Sequence, residues 1–182
     1  MYAGHFAMGL ALKARKPEAP TWALLVGTGF LDILFGPFVL IGIERVTMTP
    51  GRPPGFTLDF IDWSHSLAAA LFWSLVFVAV FRRRGRAVAG LLGFAVFSHF
   101  LLDLPMHPPD MALYPGSPVH LGFGLWNTPY WWWVELAFVL VACAYYVSRA
   151  RALRSFGANA LWACAIVLAL HAMNSPWLSP SG

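Results

Sequence analysis

The chain has 182 residues, of which 59% are hydrophobic and 11% charged, with nine tryptophans and a formal net charge of +4. Such a composition excludes an ordinary soluble domain, and the basic residues sit in three short clusters between apolar runs, which excludes a basic face for nucleic acid. Cys143 and Cys164 each stand alone in an apolar run, so they form neither a disulfide framework nor a Cys-x-x-Cys metal site.

In chain order, Met1 to Lys13 is an apolar stretch followed by positive charge, the reverse of a signal peptide's order, and is expected to be retained as a short helix that does not span. Four long apolar segments follow, Trp22 to Ile43, Trp63 to Phe81, Ala87 to Leu104 and Tyr130 to Val147. Each approaches the ~20 residues that cross ~30 Å of hydrocarbon. A fifth, Ala158 to Met173, is shorter and is expected either to span or to pack on the bundle. The expected fold is therefore all-α: a polytopic membrane helix bundle of four or five spans plus a short N-terminal helix, in a single integral membrane domain over residues 1–182.

Lysine and arginine orient the bundle. If Lys13, Arg15 and Lys16 are cytoplasmic, alternating spans put Arg82 to Arg86 and Arg149, Arg151 and Arg154 on the same side, so that ten of the twelve basic residues lie inside. Arg45 and Arg52 fall outside. Trp63 and the run Tyr130 to Trp133 then lie at the outer interface, where amphipathic rings prefer to sit. Proline and glycine collect in two outer loops, Thr47 to Asp62 and His107 to Pro129, the side where length and function are expected.

Ionisable groups inside spans are costly and face a bundle interior or a cavity. Here they are His5, Asp32, His65, His99, Asp103 and Glu135. Counted inward at ~1.5 Å per residue, Asp32 comes to ~15 Å and His99 to ~18 Å from the inner boundary. Asp103 lies a turn further out, and His65 and Glu135 lie about a turn below the outer boundary. The six converge on the outer half of the bundle. His99 and Asp103, four apart, share a helix face, and Pro105 with Pro108 and Pro109 is expected to end that helix and leave His107 and Asp110 in the loop above it.

Imidazoles and carboxylates without thiolate suit a divalent ion, with zinc first and manganese or iron as alternatives. Carboxylates in excess also favour two ions, which is hydrolase chemistry. Read singly, the same residues have plainer roles: His99 with Asp103 makes a hydrogen-bonded structural pair, Asp32 caps or hinges a helix near Gly27, Gly29 and Gly36, and Glu135 is interfacial. His120 and His171 are not expected to be ligands. Gly122 to Trp126 is expected to form a turn with an aromatic ring packed under it. No Gly-Lys-Ser phosphate loop and no Gly-x-Ser-x-Gly elbow is present, so a Ser64 or Ser66 nucleophile has little support.

His5 with Gly9, an Asp in the first span, Ser64 to Ser66, and Ser98 to Asp103 together resemble the bacterial inner-membrane metal-dependent hydrolases of the YdjM type. A branch of multi-pass bacterial membrane proteins sometimes labelled permeases is closer still, sharing Leu31 and Asp32, Gly42 to Glu44, Asp59 to Ser66, Leu102 to Asp110, Gly122 to Trp126 and Glu135. Two departures stand out: one carboxylate, Asp32, where the family often carries Pro-Asp-x-Asp, and Asp62 to Ser66 where it often carries Arg-x-x-Thr-His-Ser. The resemblance implies a helical protein of the bacterial cytoplasmic membrane with a His/Asp metal site.

The leading expectation is a membrane-embedded hydrolase acting on a lipid-borne ester or phosphoester. His5, Asp32, His65, His99 and Asp103 would hold the metal, Glu135 would be a ligand or general base, and His107 and Asp110 would orient ligands or face substrate. Expected partners are membrane lipids and other membrane subunits, not nucleic acid. The alternative is a non-catalytic accessory subunit of a larger membrane complex with a structural metal or hydrogen-bonded His/Asp core. A proton or ion path ranks last, because no polar residue continues the cluster through the inner half.

Overall fold

The structure is a computed structural model that describes residues 1–49, 56–153 and 157–177. Arg52, with the run Pro50 to Gly55, and Arg154 lie outside the described residues. The chain is mostly helical, as its hydropathy requires. Helix α1 spans Ala3–Arg15, α2 Thr21–Thr28, α3 Phe30–Leu40, α4 Asp62–His65, α5 Leu67–Phe81, α6 Arg86–Asp103, α7 Trp131–Leu153 and α8 Gly157–Met173. Helices α6 and α7 are long and apolar enough to cross a membrane, and α2 with α3 makes a third candidate if the bent pair is one span.

That pair is the first long apolar segment, broken by a 53° bend at Gly29. Glycine lowers the cost of leaving the helix, and a carbonyl released inside an apolar bundle must find another donor. The donor appears in the site below. The second segment is also divided. Ser66 leaves helical geometry, and its hydroxyl accepts from Ala69 N at 3.1 Å as the N-cap of α5, which sets the short α4 apart.

Two short antiparallel strand pairs lie in the Pro- and Gly-rich outer loops of a chain expected to be all-α. β1 (Arg45–Met48) pairs antiparallel with β2 (Phe56–Phe60), and β3 (Met111–Ala112) with β4 (His120–Leu121). The polar–apolar alternation of Phe56 to Phe60 is the period-two pattern of a strand with one face covered.

Helix α1 is buried almost all round, touching α2, α6, α7 and α8. Lys13 closes the α1–α2 turn by donating from Nζ to the carbonyls of Pro17 (2.6 Å) and Ala19 (2.8 Å). Two apolar cores result. One joins α2, α5 and α6 through Leu24, Ala70, Phe77, Leu92 and Val96; the other joins α1, α7 and α8 through Ala7, Leu10, Val139, Tyr146 and Cys164. His5 and His99 meet at the seam between them.

Candidate metal centre

Asp103 is the hub. It ends α6, its side chain is 2% exposed, and the Nε2 atoms of four histidines face its carboxylate. His5 Nε2 lies 3.2 Å from Oδ1; His99, His107 and His65 Nε2 lie 3.0, 3.8 and 3.9 Å from Oδ2. Asp32 Oδ1 approaches from α3, 3.4 Å from His65 Nε2 and 3.6 Å from His99 Nε2. The rings of His5 and His99 stack at 3.7 Å with 7° between their planes. The Met1 amino group also donates to Asp103 Oδ1.

Three of the four rings are held from behind at Nδ1. His99 Nδ1 lies 2.7 Å from the Thr28 carbonyl, the group released by the bend at Gly29. A carbonyl only accepts, so Nδ1 carries the proton. His65 Nδ1 lies 2.6 Å from Ser64 Oγ, which lies 2.9 and 2.8 Å from the two carboxylate oxygens of Glu44. The hydroxyl has one hydrogen, and it goes to the carboxylate, so Ser64 accepts from His65 Nδ1. Ser64 N also donates to Glu44 Oε1 at 2.7 Å. Burial nonetheless pushes the Glu44 carboxyl above its usual range. His107 Nδ1 pairs with Asp110 Oδ1 at 2.9 Å.

The consequence is chemical. A neutral ring protonated at Nδ1 turns a lone pair of Nε2 toward the carboxylates, and lone pairs facing lone pairs at 3.0 Å repel. A shared cation relieves that repulsion, either a proton on one ring or a divalent ion between them. Protonating several adjacent buried rings would place like charges together; one divalent ion balances the two carboxylates and accepts the lone pairs at once. Among the buried side-chain atoms without a hydrogen-bond partner are His99 Nε2 and His5 Nδ1. Two triads have ligand atoms close enough to hold an ion, His5 with His99 and Asp103, and Asp32 with His65 and His99. The donors are nitrogen and oxygen, because Cys143 and Cys164 lie against each other between α7 and α8.

The structure thus gathers His5, Asp32, His65, His99 and Asp103 from α1, α3, α4 and α6. His107 sits closer than a loop position implies. Pro105 does interrupt α6, yet the turn continues, with His107 N donating to Asp103 O at 2.9 Å. Residues 99, 103 and 107 therefore keep one face. Proline removes its own N–H but leaves the residues after it free to bond. Phe123 to Trp126 then runs along residues 104 to 107 through four backbone hydrogen bonds, and the Trp126 ring lies 4.2 Å from His107. At Gly122, φ is +137° and a Cβ would overlap the Pro108 carbonyl, so glycine is what allows this approach.

Glu135 belongs to neither triad. It is fully buried, accepts from Gly4 N at 2.9 Å through Oε1, and leaves Oε2 without a partner. Its bond holds the start of α1, one residue before His5. His171 is buried beneath Trp132 at 4.5 Å and His120 is exposed. The sequence gives no role to Glu44, which enters only through the resemblance, or to the Thr28 carbonyl. Glu44 lies past the end of an apolar run and looks solvated, and a carbonyl leaves no trace in side-chain chemistry.

A family model described as YdjM inner membrane protein matches residues 62–178, more than half of the chain, and its range includes His65, His99, Asp103, His107, Asp110 and Glu135. No curated protein and no solved structure matches the chain.

Proposed function

Since the chain belongs to the YdjM inner membrane protein family, we propose that it is a membrane-embedded, metal-dependent hydrolase acting on a lipid-borne ester or phosphoester. The observation that carries this reading is the inward turn of four Nε2 atoms onto Asp103 while three of the Nδ1 atoms are engaged behind. The ligands are His5, Asp32, His65, His99 and Asp103, with zinc the first choice and manganese or iron the alternatives. Because both triads draw on the single Nε2 lone pair of His99, we take them as halves of one site for one ion. Such an ion polarises a carbonyl or phosphoryl oxygen and makes water nucleophilic at neutral pH.

The chain's own residues divide the remaining work. Asp32 is half exposed while its partners are buried, so the centre opens on the α3 side. We take α3 with α2 as the first span, so that an opening there faces lipid. The Asp110 and His107 pair stands at the edge of the centre, with Asp110 partly exposed, and is positioned to pass a proton outward. We place the chain as one integral domain of four or five spans, with its basic turns cytoplasmic and the centre toward the outer side.

Metal analysis of purified protein is expected to find about one ion per chain, with His99→Ala and Asp103→Ala each lowering affinity by more than the 10–100-fold that an outer partner costs. Undiminished metal in both variants overturns the reading. A second reading, an accessory subunit of a membrane complex, is favoured by the exposed Trp162 and Ile166 of α8, which would meet partner helices. Hydrolysis of a lipid ester by the isolated metal-loaded chain decides between them.

A further inference from the structure

On α3, Asp32 and Phe35, and in turn Phe35 and Phe38, are neighbours at three-residue spacing, so the three form a stripe that winds about the helix, which packs on α4. Asp32 reaches His65 at 3.4 Å, and Phe35 meets the His65 ring edge-on at 5.7 Å. Phe38, ~9 Å beyond Asp32 along α3, lines a cavity of about 630 Å³. Trp63 of α4 and Ala68, Ala69, Phe72 and Trp73 of α5 form its other main walls. The metal centre and the cavity are neighbours: Trp63 immediately precedes Ser64 and His65.

The walls decide what fits. The volume falls within the ~300–1,000 Å³ of ligand sites, but the lining side chains are apolar and would leave the hydroxyls of a sugar or nucleotide unpaired. Phe72 is 58% exposed and Trp63 52%, so the mouth lies on the outside of the bundle, and Ala68 and Ala69 are the small residues that leave room between the rings. Arg45, two residues past the cleft-lining Ile43, supplies a cation. It follows Glu44, the partner of Ser64, and holds its guanidinium 5.5 Å over the Phe60 ring while remaining exposed.

We propose that this cleft holds one acyl chain of an anionic glycerophospholipid whose phosphoester lies at the Asp32 and His65 edge of the centre. A chain in the cleft packs against its rings and alanines, and Arg45 offers a charged donor to the phosphate. The placement of the phosphoester rests on the hydrolase reading; the chain in the cleft does not.

The full chain is reconstituted in phosphatidylcholine vesicles containing a phosphatidylglycerol analogue with a diazirine in its acyl chain, irradiated, digested and mapped by mass spectrometry. Adducts are expected on Trp63, Phe72 and Trp73, falling about tenfold when Ala68→Phe fills the cleft, with adducts on Val141 and Ile166 unchanged. Labelling spread evenly over all these positions, or insensitive to the filling, overturns the proposal. The milder Ala69→Leu serves if Ala68→Phe loses its helical circular dichroism. Equal cleft labelling by a phosphatidylcholine analogue overturns the choice of an anionic lipid. Metal content of the same samples separates the two readings. Cleft labelling without metal removes the hydrolase and leaves the lipid site, whereas metal without cleft labelling removes the lipid site alone.

Discussion

An imidazole binds a metal through a nitrogen that carries no proton, so the partner on the other nitrogen decides whether the ring is ready. Ser64 does this for His65 by giving its hydrogen to Glu44 and accepting from Nδ1. The same wiring keeps Ser64 from being a nucleophile, because its proton is committed to a carboxylate and the nearest imidazole nitrogen is a donor. Ser64→Ala removes the acceptor and frees the His65 ring to adopt the other tautomer. Its metal affinity, read by titration calorimetry, is expected to fall 10–100-fold. The ¹⁵N spectrum of His65 is expected to show loss of the Nδ1–H tautomer. An unchanged tautomer with unchanged affinity would show that packing alone orients the ring.

At the scale of elements, the centre depends on helices that approach closely or break in a particular place. A Cβ on Gly93 would lie 2.5 Å from Val78 Cγ2 and 2.8 Å from the Ser74 carbonyl oxygen, so α5 and α6 touch there with no room for a methyl group. The carbonyl cannot rotate away as a side-chain tip can. Gly93→Ala is expected to cost about 1–3 kcal/mol, measured as a lowered unfolding midpoint in detergent micelles. Gly90→Ala, with nothing within 4 Å of the new atom, is the control, expected to be neutral or stabilising by up to about 1 kcal/mol. Equal destabilisation by both would show that helix propensity outweighs the close contact. The break at Gly29 has the opposite effect: it separates α2 from α3 and makes the Thr28 carbonyl available to His99.

For the whole molecule, charge predicts the sidedness. Arg82 to Arg84 form a short 3₁₀ turn between α5 and α6, while His120 lies exposed in the hairpin above the centre. Both native cysteines are buried, so Cys143→Ala and Cys164→Ala give a background for labelling. In intact cells an impermeant maleimide is expected to modify His120→Cys and to spare Arg84→Cys until the membrane is opened. The reverse pattern overturns the positive-inside orientation.

How much of this was legible in the sequence can be followed residue by residue. The helical, membrane-bound character came from the length of the apolar runs, since ~20 predominantly apolar residues have few other uses. The gathering of His5, Asp32, His65, His99 and Asp103 in one region came from counting depth along helices, because rise per residue is constant whatever the neighbours do. Pairing in the plane of the membrane has no such ruler. Glu135 matched the centre in depth, yet it sits on Gly4 N and outside both triads. His107 does lie past the end of α6, as Pro105 implies, but its closeness to Asp103 rests on the Gly122 to Trp126 segment, whose contact with residues 104 to 107 is long-range.

The sequence by itself determined the solvent of this protein, its helical class and the chemical kind of its centre, because hydropathy, helical rise and donor type are properties of residues taken one at a time. Only the tertiary structure decided which nitrogen of each histidine faces Asp103, that Glu44, through Ser64, and the Thr28 carbonyl hold two of those rings, and that the centre opens beside an apolar cleft. Each of those depends on the rotation of one helix about its axis against another, which is set by side-chain packing across the bundle and has no counterpart in the order of residues along a single chain.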